Sequence, residues 1–142
     1  MGGEYMWWIY ALLSALFAAL TAIFAKIGIK GVSSDLATAI RTVVILLVTW
    51  MIVVIKGEHK EISGLSGNTL LFLGLSGLAT GLSWLFYFRA LQLGDVSKVA
   101  PVDKLSVAFA IILAVLFLNE ALTIKTAMGA ALIIGGSILL IL

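Results

Sequence analysis

Residues 97–123, "SKVAPVDKLSVAFAIILAVLFLNEALT", decide the fold. The run from 97 to 118 is apolar over the length of about 20 residues that a helix needs to cross hydrocarbon, and it closes on the polar break "NEALT". A membrane strand reads as an alternating segment of about ten residues, whereas this run is continuous. Inside it stand an acid and a base side by side, Asp103 and Lys104.

Four more runs of the same kind lie at about 6–29, 35–55, 69–93 and 122–142. With 97–118 they predict an all-α integral membrane protein of five transmembrane helices in a single domain over 1–142. Composition agrees. The chain is 63% hydrophobic and 11% charged, against roughly half and a quarter in soluble domains, so lipid must cover its apolar surface. The breaks "KGVSSD", "KGEHKEISGLSGN", "LGDVSK" and "NEALT" are polar. All but the second are short, which makes neighbouring helices antiparallel hairpins. Ser34 and Asp35 are candidate N-caps for the second helix. Pro101 falls near the start of the fourth, where a missing N–H costs little. The first run carries Glu4 in place of a basic leader and reads as a retained helix. Tyr5, Trp7 and Trp8 read as interfacial belt residues.

Several function classes fall away. The chain has no cysteine and one histidine, His59, in the polar stretch "KGEHKE", so no cofactor or metal is expected. A net charge of +2, dispersed along the chain, gives no reason to expect nucleic acid. The runs hold no histidine, no cysteine and no serine placed with a catalytic base, so an enzyme is not expected. An odd number of spans puts the termini on opposite faces. One face then holds Lys56, Lys60 and Lys125, and the other Lys26, Lys30, Arg89 and Lys98, with Arg41 and Lys104 deeper in the membrane. Orientation follows the lysine and arginine excess. Here the excess is small, which leaves dual insertion open.

Charges within the membrane are costly unless they pair, snorkel or meet water. Arg41 lies about two turns into the second run at 1.5 Å per residue, and its competing reading is a side chain that snorkels to the interface. Arg89, Lys26 and Lys30 sit near helix ends and read as structural anchors. Glu120 reads as structural, its carboxylate favouring the N-terminus of the next helix. Asp103 and Lys104 fall one to two turns inside the fourth helix. In an unbroken helix they point about 100° apart and do not simply neutralise each other. A pairing of Asp103 with Arg41 is favoured, because both lie on the same side at similar depth. In "SWLFYFR", Trp84 and Phe88 share a face beside Tyr87, a surface able to stack on an organic solute. The competing reading is an aromatic belt. Small residues mark candidate helix contacts: Ala11, Ala15, Ala18, Ala22 and Ala25 in the first helix, Gly77 and Gly81 in the third, and Gly129 and Gly136 in the fifth. For the first and third helices the favoured reading is packing within one bundle.

The stretch "GLSWLFYFRALQLGDVSKVAPVDKLSVAFAIILAVLFLNEALTIKTAMGAALIIGG" resembles the EamA-type domain of the drug/metabolite transporter superfamily. The features that carry the likeness are Ala90-Leu91, a short polar turn, Ala100-Pro101, a fourth helix ending in Glu120-x-Leu122-Thr123, and Gly129-Ala130-x-Leu132-Ile133-x-x-Gly136. The first helix, "YALLSALFAALTAIFAKIG", fits the family's opening helix. Larger members carry two such units in inverted orientation, with substrate at their interface. The resemblance therefore implies that this single unit works as a homodimer, most naturally antiparallel, in the cytoplasmic membrane of a prokaryote.

The related small multidrug resistance proteins pair in that way through a final helix with a similar glycine and leucine pattern. The likeness thus points to Gly129, Leu132 and Gly136 as the seam. Those proteins also carry an essential carboxylate in their first helix, where this chain has Ala18, so coupling through that acid is not supported. Asp103 is the remaining acid inside the membrane. The implied function is transport of small organic solutes by alternating access. The expected cavity is lined by the first, third and fourth helices and contacted by Asp103, Lys104, Arg41, Trp84 and Tyr87. Arg41 and Lys104 would favour a carboxylate or phosphate on the solute. The alternative is a non-transporting membrane scaffold or subunit whose charges hold helices in register.

Overall fold

Five stretches long and apolar enough to span a membrane run through the computed structural model, which describes residues 6–142. Glu4 and Tyr5 lie outside the described residues. The elements are α1 (Trp7–Gly28), α2 (Ser34–Lys56), a 3-10 turn over Glu58–Gly64, α3 (Gly67–Leu93), α4 (Val96–Asp103), α5 (Leu105–Leu118) and α6 (Ile124–Ile141). Among the described residues there is no strand. The expected fourth helix is thus two helices, α4 and α5, meeting at Lys104. By packing, the chain divides into two units: Ile27–Gln92, and the residues up to Lys26 together with Leu93–Leu142.

In the unit Ile27–Gln92, α2 is closed at both ends by local chemistry. Its N-cap is Ser33, whose Oγ accepts from Leu36 N–H at 3.3 Å. Ser33, not Ser34 or Asp35, takes that role because it is the residue with extended backbone before the first helical turn. Ser34 is itself helical and buried. At the other end Gly57 adopts φ +76°, the left-handed conformation that glycine takes without penalty. The 3-10 turn then folds back on α2. Ile29, Ser34, Thr38, Phe88 and Leu91 are buried. Thr38 and Thr42 return their hydroxyls to the carbonyls of Ser34 and Thr38 at 2.8 and 2.9 Å, so neither polar group is left to lipid. The amide of Gln92 donates to the Val32 carbonyl at 2.6 Å and ties the end of α3 to the first loop.

In the other unit α6 packs on both α4 and α5. Ala22, Ala25, Ala108 and Ser137 are its buried residues. Lys26 Nζ donates to the Gly94 carbonyl at 2.7 Å. A cation there satisfies a carbonyl at the C-terminal end of a helix and complements its dipole. Lys26 therefore does more than anchor a headgroup.

The small-residue stripes are only partly filled. Ala22 and Ala25 are buried, but Ala11, Ala15 and Ala18 are exposed. A methyl group added at Gly77 or Gly81 would meet nothing within 4 Å. Residues 67–80 of α3 include no buried position at all.

Candidate solute-binding site

Arg41 lies seven residues beyond the start of α2, about 10 Å along the axis at 1.5 Å per residue. Its guanidinium carbon sits 4.1 Å from the centroid of the Phe88 ring and 5.6 Å from that of Trp84. Trp84 and Phe88 are one turn apart on α3 and so present both rings to the same side. A cation over such faces gains about 1 to 2 kcal/mol when desolvated. Tyr87 meets Phe88 edge-on, with centroids 5.6 Å apart and planes at 73°. Its ring thus braces the buried Phe88, which is 1% exposed. The guanidinium has turned toward the rings and does not simply snorkel outward. Its Nη1 is buried and finds no hydrogen-bond partner among the described residues. Even a neutral donor left in that state costs about 1 to 3 kcal/mol, and a charged one more.

Arg89 behaves differently. It is exposed, and its Nη1 donates to Gln92 Oε1 at 3.2 Å, the same glutamine that holds Val32.

Asp103 and Lys104 form their own pair, Lys104 Nζ to Asp103 Oδ2 at 3.2 Å. Neighbours on an unbroken helix point about 100° apart and do not simply neutralise each other, but this helix is broken. Pro101 is not in the first turn but well inside α4, where its absent N–H removes the bond that would reach back to Ser97. The helix gives way three residues later, with Lys104 N–H shared between the carbonyls of Ala100 and Pro101 at 3.3 and 3.1 Å. Lys104 sits at φ −71° and ψ −8°, right-handed but with ψ well short of the regular helical value, and its side chain meets the preceding carboxylate. The Asp103 side chain is 34% exposed and that of Lys104 55%.

An open cleft of about 360 Å³ lies along α5 and α6, lined by Val107, Ile111, Val115, Glu120, Leu122 and Thr126 among others. It contains none of the expected site residues. The N-cap of α6 is Thr123, which accepts from Thr126 N–H at 3.1 Å, so Glu120 is exposed in the loop and not the cap itself. Among the described residues no three His, Asp or Glu side chains gather as metal ligands. His59 is exposed on the 3-10 turn.

Two interactions were not legible beforehand: the Ser137 hydroxyl on the Pro101 carbonyl at 2.9 Å, and Phe88, not Tyr87, as the ring beneath the cation. The first had a signal in a lone serine within the apolar run of α6. The second had one in the four-residue spacing of Trp84 and Phe88.

The comparisons with known proteins agree with this architecture. No solved structure matches. A protein of a Sinorhizobium species named "Uncharacterized transporter in cobO 3'region" is 56% identical over 134 residues, covering 94% of this chain and 95% of its own length. An uncharacterized protein of Methanocaldococcus jannaschii is 30% identical over 132 residues, covering 93% of each chain. Both relatives are therefore of about the size of one five-helix unit. Residues 5–142 match the EamA-like transporter family. With five spans in the order expected of one such unit, this multi-pass membrane chain belongs to the EamA-like transporter family.

Proposed function

We propose that this chain transports small organic solutes across a prokaryotic cytoplasmic membrane by alternating access, working as an antiparallel homodimer. The observation that carries the reading is the family match over 5–142, a single five-helix unit, together with relatives of the same one-unit length. Two-unit transporters place the solute between inverted repeats and rock one against the other. A single unit reaches the same arrangement by pairing with an oppositely inserted copy. The open seam on α6 offers surface that fits such a pairing. Leu132 is 75% exposed, and a methyl group at Gly129 or Gly136 would meet nothing within 4 Å.

Arg41, Trp84 and Tyr87 on α2 and α3 are assigned to solute contact. Asp103 with Lys104 is a separate candidate on the α4–α5 break. The break is also a natural flexing point, because kinks at proline lack part of the backbone ladder.

Purified protein in proteoliposomes tests the reading by flux of radiolabelled small carboxylates and amino acids against protein-free vesicles. Orientation is tested by a single cysteine at His59 and an impermeant maleimide on intact cells. Labelling of about half the molecules, rising to all on permeabilisation, is the result expected of dual insertion. Uniform labelling with no flux of any solute would favour the scaffold reading.

A further inference from the structure

We propose that Arg41, seated over Phe88 beside Trp84, is the anchoring group for the carboxylate of a small organic monoanion. The inference deepens the transporter reading and takes its purpose from it, but the site is read from geometry within the unit Ile27–Gln92 alone.

Three other cations within or bordering the spans have visible partners. Lys104 is paired with Asp103, Arg89 is bonded to Gln92, and Lys26 holds the Gly94 carbonyl. Arg41 instead keeps a buried Nη1 without a hydrogen-bond partner among the described residues, while two aromatic faces hold the guanidinium in place. A planar guanidinium held by stacking is already oriented, so it gives up little freedom when it receives a planar carboxylate. Water satisfies the donor but leaves the charge uncompensated in a low-dielectric setting, whereas a carboxylate does both. Charge also selects the ligand. One positive charge balances a monoanion, while a phosphate dianion would leave a negative charge unbalanced inside the span. The half-buried Trp84 ring adds an apolar wall on which a flat or hydrocarbon body rests.

The test uses Trp84 as its own reporter. The chain has four tryptophans, so Trp7, Trp8 and Trp50 are each replaced by phenylalanine, and the protein is placed in phosphatidylcholine nanodiscs. The probes are benzoate, its neutral isostere benzamide, and inorganic phosphate. Benzoate is expected to change Trp84 fluorescence saturably, with benzamide at least tenfold weaker and phosphate without effect. Arg41→Gln is expected to weaken benzoate at least tenfold, and Arg41→Lys, which keeps the charge but loses the planar fork, by a smaller factor. Equal binding of benzoate and benzamide overturns the proposal, and this comparison needs no variant that must fold. Undiminished benzoate binding in Arg41→Gln overturns it too, as does the absence of any benzoate response. If phosphatidylglycerol nanodiscs alone produce the Trp84 change and benzoate does not compete, the guanidinium serves a lipid headgroup and the solute site is refuted. Arg41-dependent benzoate binding without flux of any solute in proteoliposomes would uphold the site and overturn the transport reading. Flux without Arg41-dependent binding would do the reverse.

Discussion

The hydroxyl of Ser137 on α6 donates a 2.9 Å hydrogen bond to the carbonyl of Pro101 on α4. Ser137 is 4% exposed, so this polar contact is sealed within its unit. The carbonyl also receives Lys104 N–H at 3.1 Å and keeps that partner if the serine is removed. Ser137→Ala is therefore expected to lose only the net worth of one interhelical hydrogen bond, about 0.6 to 1 kcal/mol. The shift of the unfolding midpoint in mixed detergent measures it. A midpoint identical to the parent's would mean that the bond adds nothing net.

Pro101 accounts for the break at Lys104, and removing it should close the break. Pro101→Ala restores an N–H able to reach the Ser97 carbonyl, relieving a defect that costs about 3 kcal/mol in a helix interior. Amide hydrogen exchange across 101–107 is expected to slow. The Asp103–Lys104 pair is expected to loosen as the two side chains return to the angular separation of helical neighbours. Unchanged exchange would show that the break is imposed by packing on α6 and not by the proline.

How far the sequence discloses the structure depends on which residues are asked. The five spans are legible because continuous apolar runs separated by polar breaks leave lipid as the only solvent. The cap at Ser33 is missed by one residue, since Ser33, Ser34 and Asp35 are all chemically able caps and only backbone conformation chooses among them. The break at Lys104 is not legible because the apolar run 97–118 continues through it, and a proline near the start of such a run reads as harmless. The reading of Asp103 and Lys104 turns on that break, since an unbroken helix would hold them about 100° apart. Arg41 and Trp84 were picked out as polar and aromatic contacts. Their meeting, and the role of Phe88, needed the reach of the Arg41 side chain from α2 to the rings of α3.

The Asp103–Lys104 pair should show the asymmetry of a partly sheltered ion pair. Lys104→Met leaves a carboxylate 34% exposed with no partner, and Asp103→Asn leaves an ammonium in the same state. Removing both leaves no uncompensated charge. The double variant is therefore expected to be at least as stable as Lys104→Met alone, because breaking a pair costs more than deleting it. A double-mutant cycle in unfolding free energy measures the coupling, expected at no more than about 1 kcal/mol for a pair this exposed. Strict additivity would mean that the two charges do not sense each other.

The seam on α6 yields the sharpest separation between folding of one chain and pairing of two. Ser137 faces inward to Pro101, while Leu132 and Leu139 are 75% and 74% exposed. At 3.6 residues per turn, Gly136 stands about 100° from Ser137, on the side that leads to those leucines. A side chain added at Gly136 meets nothing within 4 Å, and helical backbone there carries no positive φ to strain it. Gly136→Leu is thus expected to leave the helix content of a single chain intact. If two copies close on this face, the same leucine holds their backbones apart, since small residues at a membrane seam allow close approach. Size-exclusion chromatography with light scattering in mild detergent is expected to show dimer for the parent and monomer for Gly136→Leu, with unchanged far-ultraviolet circular dichroism. Dimer retained in Gly136→Leu, with the dichroism equally unchanged, would move the seam off this face.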